Sequence, residues 1–119
     1  AAAQAKKENK LVLLDFTGSD WCGWCIKFKK EVFDTKEFKD YADKNLVLVE
    51  VDFPRKKQLS EAQQKANAIL KEKFNVSGYP TLVVLDGDGK EVGRQRGYAE
   101  GGPKAFIKKL DGFKPKAAK

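Results

Sequence analysis

Histidine is absent from the sequence, and only two of its 119 residues are cysteines. Without histidine the chain cannot form a Ser/His or Cys/His catalytic pair, and no glycine-rich phosphate-binding loop occurs. A structural zinc site needs four ligands, and two thiols without histidine do not supply them. We therefore predict no metal site, and the cysteine pair is the most distinctive chemistry that the chain offers.

Long apolar runs are also missing. No stretch approaches the roughly 20 apolar residues that a membrane-spanning helix needs, and even the run from Leu46 to Val51 is interrupted by Glu50. We predict no membrane span in this chain. It begins Ala-Ala-Ala-Gln-Ala, as a chain does after removal of a signal peptide that ends in small residues, although a trimmed chain would look the same. We expect a periplasmic or otherwise exported location, with the cytoplasm as the alternative.

Positive charge exceeds negative charge by seven units, but most of the excess lies at the two ends of the chain. Three lysines against one glutamate within residues 6–10, and three lysines within residues 114–119, account for five of these units. A basic nucleic-acid groove is therefore not indicated, and nucleic acid is not a predicted partner. We expect a flexible N-terminal segment over residues 1–10, one domain over residues 11–113 and a basic tail over residues 114–119.

Short apolar runs predict three buried strands, over residues 11–16, 46–51 and 81–85. Turn-forming residues at 86–89 favour a tight hairpin into a fourth, antiparallel strand over residues 90–97. Segments with apolar residues at helical spacing follow the first, second and fourth strands. The order β-α-β-α-β-β-α indicates an α/β domain.

The helix predicted between the second and third strands begins at a capping box, in which Gln63 follows Ser60 by three residues. Its apolar residues recur at helical spacing, and we expect the stripe that they form to cover the sheet. The stripe comprises Ala62, Ala66, Ile69, Leu70 and Phe74.

The two cysteines have two residues between them, directly after the first predicted strand and at the start of a predicted helix. This arrangement favours thiol:disulfide chemistry. Unpaired backbone N–H groups and the helix dipole would stabilise a Cys22 thiolate, which makes Cys22 the expected nucleophile. Cys25, one turn later, is the expected resolving thiol. A purely structural disulfide is a weaker alternative, because so short a loop stabilises a fold little.

Asp15 is a carboxylate within an apolar strand. Desolvation should raise the pKa of such a group, so that Asp15 could accept a proton from Cys25 near neutral pH. The alternative is an aspartate that reaches water at the strand end or caps a neighbouring backbone N–H.

Several motifs resemble thioredoxin-family signatures and follow one another in the family's order. They are Asp15-Phe16, Trp21-Cys22-Gly23-Trp24-Cys25, Gly78-Tyr79-Pro80-Thr81 and Gly97. The resemblance spans roughly residues 11–111, and Glu31-Val32-Phe33 is similar to the branch represented by the periplasmic C-terminal domain of the bacterial thiol:disulfide interchange protein DsbD. It implies a thioredoxin-like fold with three layers, α/β/α, around a mixed four-stranded sheet.

The same resemblance implies roles for residues around the cysteines. Pro80 is expected in the cis form, and the backbone of Tyr79 is expected to pair with the substrate chain. Gly97 is expected to let the substrate approach, and Trp21 to line the same groove. Trp24 replaces the thioredoxin proline inside the motif and is expected to contact partners, with packing on the helix surface as the alternative.

Two features depart from the thioredoxin pattern. One extra residue separates Asp15 from the cysteines, and Leu48 stands where thioredoxin has a buried lysine near that aspartate. The family's proton-handling pair is therefore incomplete in this chain.

The predicted function is thiol:disulfide oxidoreduction, in which a Cys22/Cys25 dithiol reduces protein disulfides or relays electrons to them without another cofactor. The implied partners are protein or peptide disulfides and an upstream thiol donor, and we expect a monomer. An oxidase or isomerase of the same fold is the nearest alternative, because direction depends on reduction potential. A non-catalytic module that holds extended peptides at Tyr79 and Pro80 is a second alternative.

Overall fold

A computed structural model of the chain describes residues 2–98 and 100–113. The strands are β1 (Leu11–Thr17), β2 (Leu46–Asp52), β3 (Thr81–Leu85) and β4 (Glu91–Arg96). They form one sheet in the order β2-β1-β3-β4, in which β1 runs parallel to β2 and antiparallel to β3, and β3 runs antiparallel to β4. The mixed four-stranded sheet predicted for the chain is confirmed.

Helices cover both faces of this sheet. They are α1 (Ala2–Glu8), α2 (Gly23–Phe28), α3 (Lys36–Asn45), α4 (Glu61–Lys73) and α5 (Gly102–Asp111), with a π-helical segment (Lys29–Phe33) that continues α2. Apolar residues of α2, the π-helical segment, α3 and α5 pack on one face, and those of α1 and the end of α4 pack on the other. The three-layer arrangement is therefore confirmed. Within the described part of the chain, no helix is long and apolar enough to cross a membrane.

The N-terminal segment differs from the expectation that residues 1–10 are flexible. The structure shows a helix, α1, in which Ala5 is fully buried against β1 and its neighbours. Its carbonyl accepts the Lys10 N–H at 2.8 Å, which closes the turn into β1. A helix that docks through one small alanine leaves no apolar periodicity in the sequence, so the usual signal for a packed helix is missing. The predicted tail, residues 114–119, lies outside the described residues.

Helix α4 presents a different face to the sheet from the one predicted. Phe74 is buried and Leu70 partly buried, but Ile69 is 65% exposed and the polar Asn67 is buried in its place. The buried side-chain amide of Asn67 has a hydrogen-bond partner, because its N–H group donates to the Asp52 carbonyl at 2.9 Å. The predicted stripe is thus correct at its C-terminal end and wrong at Ile69, because hydrophobicity does not anticipate a buried amide that has a hydrogen-bond partner. The other exposed members of the predicted stripe are Ala62 and Ala66.

Candidate active site

The cysteines lie where β1 ends and α2 begins. Cys22 is the N-cap of α2 and is joined to Cys25 by a disulfide, with a Cα–Cα distance of 5.2 Å. Cys22 Sγ accepts the backbone N–H of Cys25 at 3.2 Å. An N–H group held in this position favours negative charge on the Cys22 sulfur, which is the requirement for a nucleophilic thiolate. No cluster of three or more potential metal ligands occurs among the residues that the structure describes.

The loop before Cys22 contains a tight turn. The N–H groups of Trp21 and Cys22 both donate to the Gly18 carbonyl, at 3.2 and 2.9 Å. The Trp21 indole packs on Gly18 so closely that a Cβ there would lie 2.3 Å from Trp21 Cε2. The indole N–H donates to the Phe53 carbonyl at 2.7 Å. Trp21 is therefore held in one position beside the nucleophile.

Two aspartates tie this loop to the chain after β2. The buried Asp52 carboxylate accepts the N–H and the hydroxyl of Ser19, at 2.9 and 2.5 Å, and lies 3.3 Å from Lys57 Nζ. The Asp20 carboxylate accepts three consecutive backbone N–H groups, beginning with that of Arg55 at 2.9 Å. These hydrogen bonds, that from Arg55 first, hold the pKa of Asp20 below its usual range. The segment after β2 is thereby anchored next to the cysteine loop.

Aromatic rings flank the disulfide on both sides. Trp21 meets Tyr79 edge to face, with 5.7 Å between the ring centroids. Trp24, which is 58% exposed, lies against Tyr98 at 5.2 Å. Part of the Trp24 ring packs on Tyr98, as the packing alternative expects, and most of the ring faces solvent. Contact with partners stays a prediction.

The predicted groove residues come together next to Trp21. The Tyr79–Pro80 peptide bond is cis, as the family resemblance implies. The Pro80 carbonyl accepts the Gly97 N–H at 2.7 Å. Gly97 has φ +80°, which favours glycine, and among the described residues other than its chain neighbours no atom lies within 4 Å of the position that a Cβ would occupy. None of these residues therefore covers the Cα of Gly97 beside the cis proline.

Asp15 lies, by the alternation of β1, on the sheet face that α2 covers. It lines a cavity of about 120 Å³ together with Lys29, Leu48 and Glu50, and neither cysteine is among the described residues of that lining. Burial raises the pKa of Asp15 to about 7, and the carboxylates of Glu50 and Asp52 contribute to the shift. Asp15 makes no hydrogen bond with any residue that the structure describes, so the capping role considered above is not seen. Its carboxyl can exchange a proton near neutral pH.

Four residues of the site were not singled out from the sequence. Tyr98 directly follows the predicted groove glycine, and an aromatic residue in that place was a usable signal. Asp20, Asp52 and Arg55 gave no such signal, because the partners that join each of them to the other segment lie 33 or more positions away in the chain. Only the fold brings them together.

Comparison with known proteins identifies a family and several relatives. The family model of the thioredoxin-like domain matches residues 1–114. The disulfide bond reductase DsbH of Chlamydia pneumoniae is 42% identical over 110 residues, which cover 92% of this chain and 66% of DsbH. The thiol:disulfide interchange protein DsbD of Cronobacter sakazakii is 34% identical over 102 residues, which cover 84% of this chain and 16% of DsbD.

A solved structure of a DsbH oxidoreductase has a TM-score of 0.86 to this chain at 41% identity, covering 94% of this chain and 78% of the other. The predicted fold and the similarity to DsbD are confirmed. The chain spans slightly less than two thirds of DsbH and a small part of DsbD.

Proposed function

This chain belongs to the thioredoxin-like domain family, and on that basis we propose that it is a thiol:disulfide oxidoreductase that reduces protein disulfides through Cys22 and Cys25. The observation that carries the proposal is the disulfide at the start of α2, in which Cys22 Sγ already accepts a backbone N–H. Reduction as the direction is supported by the name of DsbH, a disulfide bond reductase.

The proposed reaction has two exchange steps. The Cys22 thiolate attacks one sulfur of the partner disulfide, forms a mixed disulfide and releases the partner's other sulfur as a thiolate. The Cys25 thiolate then attacks the Cys22 sulfur, which closes the Cys22–Cys25 disulfide and releases the second partner sulfur. Two electrons pass to the partner, and an upstream thiol donor must return two electrons to this pair. The pair itself is the redox centre, without a further cofactor.

Asp15 is proposed to accept the proton that Cys25 loses before the second step. Its support is the pKa of about 7 and its place on the sheet face beneath α2. A carboxyl with this pKa is available as a base at neutral pH and returns the proton when the dithiol is regenerated.

The partner chain is proposed to lie along Tyr79, Pro80 and Gly97, beside the Gly97 Cα that no described residue other than its chain neighbours covers, with the exposed Trp24 ring as a further contact. Because disulfide substrates persist in oxidising compartments, a periplasmic or otherwise exported location is proposed with this activity. A monomer suffices for this mechanism, since both cysteines lie on one chain.

The test is to trap the mixed disulfide. The Cys25→Ser variant should accumulate a covalent adduct with a disulfide-bearing protein, visible on a non-reducing gel, because the second step is blocked. The matched Cys22→Ser variant should form far less adduct, since the nucleophile is removed. The wild type should catalyse insulin reduction with dithiothreitol as donor. Folded proteins that neither trap an adduct nor reduce insulin would reject the proposal.

Direction is tested by the reduction potential of the Cys22/Cys25 pair, measured by equilibration with glutathione. A reductase should have a potential nearer to the about −270 mV of thioredoxin than to the about −120 mV of DsbA. A potential at the oxidising end would instead identify an oxidase. Unchanged peptide affinity after both cysteines become serine, with no dithiol activity in the wild type, would identify a binding module.

A further inference from the structure

Several basic residues lie next to the aromatic rings on the Trp21 side of the disulfide. Three consecutive basic residues, 55–57, follow β2, and α4 contributes a lysine that lies against the ring of Tyr79. The Arg55 guanidinium carbon is 3.8 Å from the centroid of the Trp21 ring, and Lys71 Nζ is 5.5 Å from that of Tyr79. The basic surface is defined here as Arg55, Lys56, Lys57 and Lys71.

The charge of the basic surface is not neutralised by neighbouring acids. Within residues 2–98 and 100–113, neither Arg55, Lys56 nor Lys71 forms an ion pair with a carboxylate, and Lys57 pairs with Asp52. The nearby Asp20 carboxylate is occupied by three backbone N–H groups. The carboxylates of Asp52 and Asp20, both already bonded, balance two of the four positive charges. The basic surface therefore retains net positive charge.

On the opposite side of the disulfide, the lysine that lies against the aromatic rings is paired with a carboxylate. Lys27 Nζ lies 5.5 Å from the centroid of the Trp24 ring and 5.1 Å from that of Tyr98. It also pairs with Glu31 at 3.9 Å, and Glu31 accepts the Tyr98 hydroxyl. Lys27, the cation that lies against these two rings, therefore already has a carboxylate partner, whereas Arg55, Lys56 and Lys71 form no ion pair with a described carboxylate.

Arg55, the cation of the basic surface that lies against Trp21, is held in place before any partner arrives. Asp20 fixes the backbone of the segment that carries Arg55, and the flat guanidinium lies over the Trp21 ring. A guanidinium held in this way presents its N–H groups as a fork for a carboxylate. Because Arg55 is already ordered, the binding of an anion costs little further conformational entropy, which favours affinity.

We propose that the basic surface binds acidic residues of the partner, so that disulfides flanked by Asp or Glu are reduced in preference to neutral ones. This inference rests on the proposed function and specifies its substrate class. A partner chain that runs past Tyr79 and Trp21 toward Cys22 would place residues near its own cysteine within reach of Arg55 and Lys71. The carboxylates steer the encounter and then pair with these cations.

The experiment uses pairs of synthetic peptides with one intramolecular disulfide, identical except that Glu on either side of a cysteine is replaced by Gln. The rate constant for oxidation of the reduced protein by each peptide is measured by tryptophan fluorescence. At 20 mM salt the Glu peptide should react about fivefold faster than the Gln peptide. At 0.5 M NaCl, where the screening length is about 4 Å, the ratio should fall below about twofold.

Two matched triple variants locate the effect. Arg55→Gln/Lys56→Gln/Lys71→Gln should bring the Glu-to-Gln rate ratio at low salt close to one. Lys44→Gln/Lys104→Gln/Lys108→Gln removes the same amount of charge from exposed positions on α3 and α5, and it should keep the fivefold ratio. Circular dichroism spectra and melting curves confirm that both variants are folded.

Each alternative outcome has a distinct meaning. Equal rates for the two peptides in the wild type, or an equal loss of preference in both triple variants, overturn the inference while the proposed function stands. If the wild type oxidises with neither peptide nor with hydroxyethyl disulfide, the proposed function fails and the inference fails with it. Binding to phosphatidylglycerol vesicles that only the first triple variant loses, without any peptide preference, would assign the surface to membranes and also overturn the inference.

Discussion

The two sides of the Cys22–Cys25 disulfide differ in how completely their polar groups are satisfied. The loop side consists of residues 17–21 and 52–57, and the helix side of Asp15, residues 23–33 and Tyr98. On the loop side, the Asp52 carboxylate has three partners and the Trp21 indole N–H has one. On the helix side, Asp15 has no hydrogen bond with a described residue, and Trp24 is largely exposed.

This difference indicates that the two sides have different roles, one in positioning residues and the other in the reaction. A polar group with all of its partners is rigid, and a carboxylate bound by several donors keeps its charge. A carboxyl buried without partners lowers stability, but it can take up and release a proton in the range where thiols react. We infer that the loop side holds the nucleophile and its aromatic neighbour in place, whereas the helix side keeps its groups available for exchange.

The largest effects should come from the two aspartates, and they should have opposite signs. The Asp52→Asn variant should lose about 2 kcal/mol of unfolding free energy, because an amide cannot accept both Ser19 donors and cannot pair with Lys57. The Asp15→Asn variant should gain about 2–4 kcal/mol at pH 8, since it removes a carboxylate that folding makes costly to ionise. Urea denaturation of the oxidised proteins measures both changes.

The pH dependence gives a sharper form of the Asp15 prediction. Its pKa rises from 3.8 to about 7 on folding, so the folded state holds a proton that the unfolded state releases as the pH increases. Wild-type stability should therefore decrease between about pH 4 and pH 7 and then level off. The Asp15→Asn variant should lack this decrease and match the wild type near pH 4. A constant difference between the two proteins from pH 4 to pH 8 would contradict the prediction.

The parts of the fold that the sequence predicts correctly depend on local patterns. The apolar run that forms β1, the turn at residues 86–89 and the helix that begins after Cys22 each depend on neighbouring residues. Two elements escape this reasoning. Helix α1 docks through a single alanine, and α4 buries the amide of Asn67 while Ile69 faces solvent.

The residues of the candidate site also fall into those that local sequence patterns predict and those that they do not. Cys22 and the helix-side groups Cys25 and Asp15 belong to short motifs, and their place at the end of β1 follows from the sequence. The loop-side network joins residues 32 to 37 positions apart, for instance Ser19 with Asp52 and Asp20 with the backbone after Pro54. No local pattern reports such pairs, because they exist only after β1 and β2 have paired.

A smaller contrast is expected between the two tryptophans that flank Cys22. Trp21→Ala should reduce the unfolding free energy by about 2 kcal/mol, because it removes the packing on Gly18 and the hydrogen bond to the Phe53 carbonyl. Trp24→Ala should cost less than about 1 kcal/mol, since most of that ring faces solvent. Denaturant titration of the two variants side by side measures both values. Equal losses would remove the distinction between the fixed and the exposed side.

The smallest contrast concerns the glycines on either side of the nucleophile. A Cβ on Gly18 would lie 2.3 Å from the Trp21 indole, whereas a Cβ on Gly23 would lie more than 4 Å from every described residue other than its neighbours in the chain and in the turn of α2. Gly18→Ala should therefore cost about 1–2 kcal/mol, because either the indole or the turn must shift. Gly23→Ala should be neutral or stabilise the protein by a few tenths of a kcal/mol, because alanine favours the first turn of α2. If Gly18→Ala were as neutral as Gly23→Ala in the same denaturation assay, Trp21 would be free to move, and the loop side could not be the rigid support for the nucleophile that its hydrogen bonds indicate.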